Sequence, residues 1–208
     1  MSLPTLRQFI KETLNKTYGS LLEEDFQDLG LFITVPDNIV RKIETSFPDF
    51  ANDENKDTSP KHITLLIINK DFANVEKIQN IIKSVISNYK PFAINLCGTD
   101  KFEPQSDRGG YVFFAKAMGN VLLDIHYKIR DALENAGIEV KHYYGDDPEN
   151  KRIYKPHMTL AYYQTEEEFL DNEDTQIYAS WYVDRLELWG FGSPVVLKLD
   201  NNQLQQNI

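Results

Sequence analysis

Two short stretches repeat one arrangement of chemistry-bearing residues. His62-Ile-Thr64 opens "HITLLII" and His157-Met-Thr159 opens "HMTLAYY". In an extended strand, side chains two positions apart leave the same face. Each stretch therefore offers one imidazole beside one hydroxyl, while Ile63, Leu65, Met158 and Leu160 turn the other way. An imidazole exchanges protons near neutral pH, because its ordinary pKa is about 6.5. Two of them across a phosphodiester can divide the acid–base work. One takes a proton from the attacking oxygen and the other gives one to the leaving oxygen. The hydroxyls can donate hydrogen bonds to the non-bridging oxygens as negative charge builds there. This chemistry calls for no metal and no cofactor, and sequence does not say which histidine is acid and which is base.

The elements that carry these stretches follow a repeating order. Leu6, Phe9, Ile10 and Leu14 set a helix at about 4–16, and "LGLFITVP" (29–36) reads as a strand ended by Pro36. Asp37 can cap a helix whose apolar face is Ile39, Val40, Ile43 and Phe47. The polar stretch 48–60 has loop composition, and the first His-x-Thr strand follows it. A helix over 72–88, the strand and turn "PFAINLCGTDKFEP", the strand "RGGYVFFAKAM" and a long helix over 119–136 come next. Gly137 stands where a helix C-terminal cap belongs. "IEVKHYYG" can hold a short strand before the second His-x-Thr strand. "SWYVDRLELWGFG…VVLKLD" alternates like two strands of a hairpin, and 201–208 reads as a loose tail. The expected fold is α+β. It has two pseudo-symmetric lobes, each an antiparallel sheet with outer helices, forming a central cleft within a single bilobal domain spanning 1–208, its core at about 29–200.

A lone His-x-Thr at the start of an apolar strand is ordinarily a plain edge pair. Two copies, using two of only four histidines at comparable places in a repeating pattern, are not. "KHITLLI" and "KPHMTLAYY", with the "GGYVFF" strand before the long helix, resemble the 2H phosphoesterase superfamily. That superfamily takes in 2′,5′-RNA ligase-like enzymes and cyclic nucleotide phosphodiesterases. The resemblance implies that His62 and His157 are the acid–base pair and that Thr64 and Thr159 hold the phosphate. It implies a metal-independent phosphodiesterase acting on a small nucleotide, a cyclic oligonucleotide messenger, or a 2′–5′ or 2′,3′-cyclic RNA end. It also suggests a viral antagonist of nucleotide-based immune signalling. The other reading of the same residues is a protein that sequesters a nucleotide or RNA end without turnover.

Around the motifs, Lys61 and Lys155 could add positive charge, and Arg108 could reach a phosphate or base edge. Tyr111, Phe114, Tyr154, Tyr162 and Tyr163 could stack on bases; alternation counted from His157 favours Tyr163 over Tyr162 for the shared face. His126 and His142 are expected to be non-catalytic, and the lone cysteine, Cys97, to be a small buried side chain. The formal net charge of −10 argues against gripping long nucleic acid, which is driven by Lys and Arg displacing counterions, but leaves a small phosphorylated partner open. No apolar stretch approaches a membrane span, and one cysteine suits a reducing cytoplasm, of a cell or of a virus-infected host cell.

Overall fold

The computed structural model describes residues 28–47, 54–69, 75–104, 110–141, 154–165, 176–190 and 193–199. The expected helix at 4–16, the tail at 201–208, Arg108 and His142 lie outside the described residues. The strands are β1 (Asp28–Thr34), β2 (His62–Asn69), β3 (Phe92–Phe102), β4 (Tyr111–Met118), β5 (Val140–Lys141), β6 (His157–Tyr163), β7 (Tyr178–Val183), β8 (Arg185–Trp189) and β9 (Val195–Lys198). The helices are α1 (Asp37–Ser46), α2 (Val75–Ile86) and α3 (Asn120–Asn135).

The fold is α+β, and its two lobes are the halves of one antiparallel sheet. The strands run in the order β7-β3-β4-β6-β2-β1-β8-β9, with β5 attached to β2. The two His-x-Thr strands are the central neighbours, so each motif heads its own half. Buried Ile78, Ile82 and Ile86 of α2 and Leu122, Ile125, Ile129 and Leu133 of α3 form the helical side of the core. Their spacing is the 3.6-residue period read from the sequence. Gly137 adopts φ 78°, and Ile138 N–H closes the end of α3 by donating to Leu133 O (3.0 Å). Among the described residues no helix is long and apolar enough to cross a membrane.

The C-terminal stretch expected to hold a two-strand hairpin holds three strands. β8 and β9 pair with each other, but β7 pairs with β3 at the far end of the sheet, and only Asp184 separates β7 from β8. Val183 and Arg185 can be no more than about 7 Å apart. Yet β7 and β8 stand six strand intervals apart in the sheet order, or about 29 Å if the sheet were flat. The sheet is therefore strongly curled, and one face of it is concave.

Candidate active site

At the seam between the halves, β2 and β6 pair at Ile63↔Met158, and Lys56 before β2 bridges to Ala161. Ile63 and Met158 are buried, at 0% and 1% exposure, on the core side of the sheet. Continuing that antiparallel register sets His62 across from Thr159 and Thr64 across from His157 on the opposite, concave face. The four side chains occupy the corners of a rectangle, the imidazoles on one diagonal and the hydroxyls on the other. Diagonal positions in an antiparallel pair lie about 7–8 Å apart, room for one phosphate between two side chains.

Each imidazole is held in the same way. His62 Nδ1 lies 2.7 Å from Pro60 O, and His157 Nδ1 lies 2.8 Å from Lys155 O. A carbonyl only accepts, so Nδ1 carries the proton in both rings and each Nε2 is left facing the concave side as the exchangeable nitrogen. Each ring is also walled by aromatics. Phe32 meets His62 edge-on at 4.6 Å, with Trp189 5.2 Å from Phe32. Phe114 lies 5.0 Å from His157, and Phe102 stands 4.9 Å from His157 and stacks on Phe114 at 4.2 Å. Phe32 lies over Gly30, where a Cβ would meet its ring at 2.1 Å. The rings keep some exposure, but crowding on their flanks lowers the pKa of both histidines, outweighing the carbonyl bond that raises it; His62 lowers His157 further.

The correspondence between the halves extends across three strands. Thr64 pairs with Phe32 and Phe32 with Glu187; Thr159 pairs with Phe114 and Phe114 with Asp100. In each half the motif strand carries a bulge immediately after the threonine. Phe32 opposes Thr64 but Leu31 opposes Leu66, and Phe114 opposes Thr159 but Phe113 opposes Ala161. Leu65 and Leu160 are the extra residues. A bulge shifts every later side chain to the other face.

That shift corrects the reading of two tyrosines. Past Leu160, Tyr163 pairs with Tyr111 on the core side, and Tyr163 is 1% exposed. Tyr111 packs against the core, with Lys101 Nζ 4.9 Å from its ring centroid. Tyr162 instead pairs with Val112, which alternates with Phe114 along β4, and it is exposed on the concave face. Lys61 is also placed differently: it is buried, and its Nζ donates to the carbonyl of Asp57 and to Asp57 Oδ2 (3.0 Å). Lys155 is exposed, and its backbone carbonyl rather than its ammonium touches His157. His126 is buried in α3 with Nδ1 2.8 Å from Leu65 O, away from the concave face.

Sequence reasoning missed Phe32, Phe102, Trp189 and Lys116, and offered Phe114 as a ring to stack on bases rather than as a wall of His157. Lys116 pairs directly with His157 and is exposed on the same face, in the place that Thr34 takes opposite His62. Its one signal was a lysine interrupting the apolar run "YVFFAKAM". Among the described residues no three of His, Cys, Asp or Glu gather as a metal site.

A doubled His/Thr rectangle on a curled antiparallel sheet is the mark of the 2H phosphoesterases. The sequence profile of the 2′-5′ RNA ligase superfamily matches residues 35–193, and the chain belongs to that superfamily. No curated protein sequence matches the chain. Solved structures share the fold at low identity. TT0787 of Thermus thermophilus aligns with TM-score 0.57 and 19% identity, over 83% of this chain and 95% of that one. Usb1 of Kluyveromyces marxianus aligns with TM-score 0.54 and 10% identity, over 83% and 98%. The MHV ns2 PDE domain aligns with TM-score 0.52 and 11% identity, over 84% and 99%. The chain is thus an enzyme of the phosphoesterase type.

Proposed function

We propose that the protein is a metal-independent phosphodiesterase that uses His62 and His157 as its acid–base pair on a small nucleotide substrate. The observation that supports this best is the rectangle itself: two imidazoles on one diagonal, two hydroxyls on the other, and both Nδ1 protons tied to backbone carbonyls. With Nδ1–H fixed, a neutral ring offers an Nε2 lone pair to the attacking oxygen. A protonated ring offers Nε2–H to the leaving oxygen. The same carbonyl bond suits both states, so either ring can return to its starting form as the reaction closes. Thr64 and Thr159 donate to the non-bridging oxygens, where charge grows in the transition state. The two protons are handled by the rings, which is why this route needs no metal.

The substrate class follows from size and charge. A net charge of −10 disfavours a long polyanion, and the half-buried rings of Trp189 near His62 and Phe102 beside His157 suit flanking bases. Cyclic oligonucleotide messengers, 2′–5′-linked oligonucleotides and 2′,3′-cyclic ends all fit, and cleavage of the messengers would let a virus blunt nucleotide-based immune signalling. Exposed Tyr162 takes the stacking role first given to Tyr163, and Lys116 joins Lys155 as a candidate cation near the phosphate.

The test is a panel of these nucleotides incubated with the protein in EDTA, with products separated by chromatography. Cleavage that vanishes in His62→Ala and His157→Ala supports the proposal. Cleavage that survives either substitution sinks it, and tight binding with intact ligand recovered points to sequestration instead.

A further inference from the structure

Among the described residues β2 and β6 pair directly only at Ile63↔Met158, so contacts outside that ladder help to set His157 against Thr64. The bulges supply the attachment points, because they turn backbone carbonyls out of the ladder. In β6 the bulged Leu160 O accepts from Asp57 N–H (2.8 Å), in the segment that leads to His62. In β2 the acceptors are reached from the segment that leads to His157 and from α3. The Tyr154 phenol donates to Thr64 O (2.8 Å), and His126 Nδ1–H donates to the bulged Leu65 O (2.8 Å). Tyr154 and His126 stack face to face, with centroids 3.9 Å apart and planes 6° from parallel. Tyr154 N–H reaches the Tyr127 hydroxyl at 3.4 Å. Three residues later comes His157, after Lys155, whose carbonyl holds its Nδ1, and Pro156, whose carbonyl accepts from Ala117 N–H (2.9 Å).

Each motif is thus tied to the backbone of the other by the chain that precedes it. We infer that Tyr154, braced by the stacked His126 of α3, is a positioning residue: its phenol bolts the turn aiming His157 to the carbonyl of Thr64 and so sets one half-site against the other. This rests on the two-histidine mechanism above for its effect on turnover, but not for its effect on the ring. Tyr154 touches no reacting atom. It acts through His157, which is faced by Lys116 across β4 and by His62 across the seam.

The experiment follows the His62 and His157 ring protons of the full chain by NMR through a pH titration, in wild type, Tyr154→Phe, His126→Asn and His126→Gln. Tyr154→Phe keeps the stack and removes only the phenol. It should raise the His157 midpoint toward the ordinary value as the loosened ring gains water, and leave that of His62 in place. On a cleaved nucleotide it should lower kcat about 10-fold or more with KM little changed, since misplacement by about 1 Å can cost a hundredfold. His126→Asn keeps a donor where Nδ1 stood but loses the stacked ring, so it should move the His157 midpoint part of the way, whereas His126→Gln, which loses both the ring and the donor at that point, should behave as Tyr154→Phe. Added to His157→Ala, Tyr154→Phe should change kcat no further. An unmoved His157 midpoint, both midpoints moving together, or an additive loss in the His157→Ala background would each overturn the inference. If no nucleotide is cleaved at all, the functional proposal fails while the NMR titration still decides this one.

Discussion

Around His62 stand Phe32 and Trp189, with Thr34 across the strand pair; around His157 stand Phe114 and Phe102, with Lys116 in the place of Thr34. Carbonyl, ring wall, bulge and outer carboxylate all recur from one half to the other, so the scaffold offers a phosphate two equivalent approaches. The charge does not recur. Lys116 is exposed beside His157, while the lysine next to His62, Lys61, is turned inward onto Asp57. A near-symmetric frame can grip the phosphate at its centre, but only an unequal feature can tell one end of a nucleotide from the other.

The comparison can be broken first at its centre. His62→Ala and His157→Ala should each lower kcat by about 10²–10⁴-fold, and the double variant should be little worse than either single one, because the pair acts as a unit. A loss confined to one histidine in steady-state kinetics would end the case for equivalent halves. The two faces of β6 give the next contrast. Tyr163→Ala should cost about 3–5 kcal/mol in denaturant unfolding, by emptying a core site, whereas exposed Tyr162→Ala should leave stability nearly unchanged and raise KM. Thr64→Val and Thr159→Val should each reduce kcat about 10²-fold with smaller effects on KM; unequal losses would show that one hydroxyl carries the growing charge. Lys116→Ala should raise KM about 10-fold, less at high salt, while Thr34→Val does little; equal effects would remove the asymmetry.

The smallest effect is on pH. Both imidazoles sit below the ordinary value near 6.5 because their neutral forms are favoured in the folded chain. The bell of kcat/KM should therefore lie to the acid side of that value. The unfolded chain binds more protons between the two values. Stability from these rings is thus full above the unfolded pKa and is lost as pH falls through the folded one. A thermal midpoint that declines below pH 6.5 in wild type, and less in His62→Gln/His157→Gln, checks the sign.

What could be read in the sequence was whatever depended on spacing within one segment. His-x-Thr at i and i+2, the helical faces of α2 and α3, and the cap at Gly137 are local facts, and the structure keeps them. Alternation failed at Tyr163 because the residue that breaks it, Leu160, is as apolar as its neighbours and leaves no mark in the pattern. Lys61 was misplaced because its partner, Asp57, lies in a loop whose path is not periodic. The stretch "SWYVDRLELW" reads as part of a two-strand hairpin because nothing in its alternation marks Asp184 as a break, whereas the strands on either side of it belong to opposite ends of a curled sheet. Lys116 and the aromatic walls needed the cross-strand register, which no single segment contains.

Gly30 lies on a strand that bears no histidine, yet it fixes a dimension of the cleft. The space its side chain would fill is already taken by the ring of Phe32. A methyl group there would displace that ring, which meets His62 at 4.6 Å, so the smallest residue in β1 acts as a spacer gauge for the imidazole. The width available to a substrate is thus set partly by a hydrogen atom that never meets it.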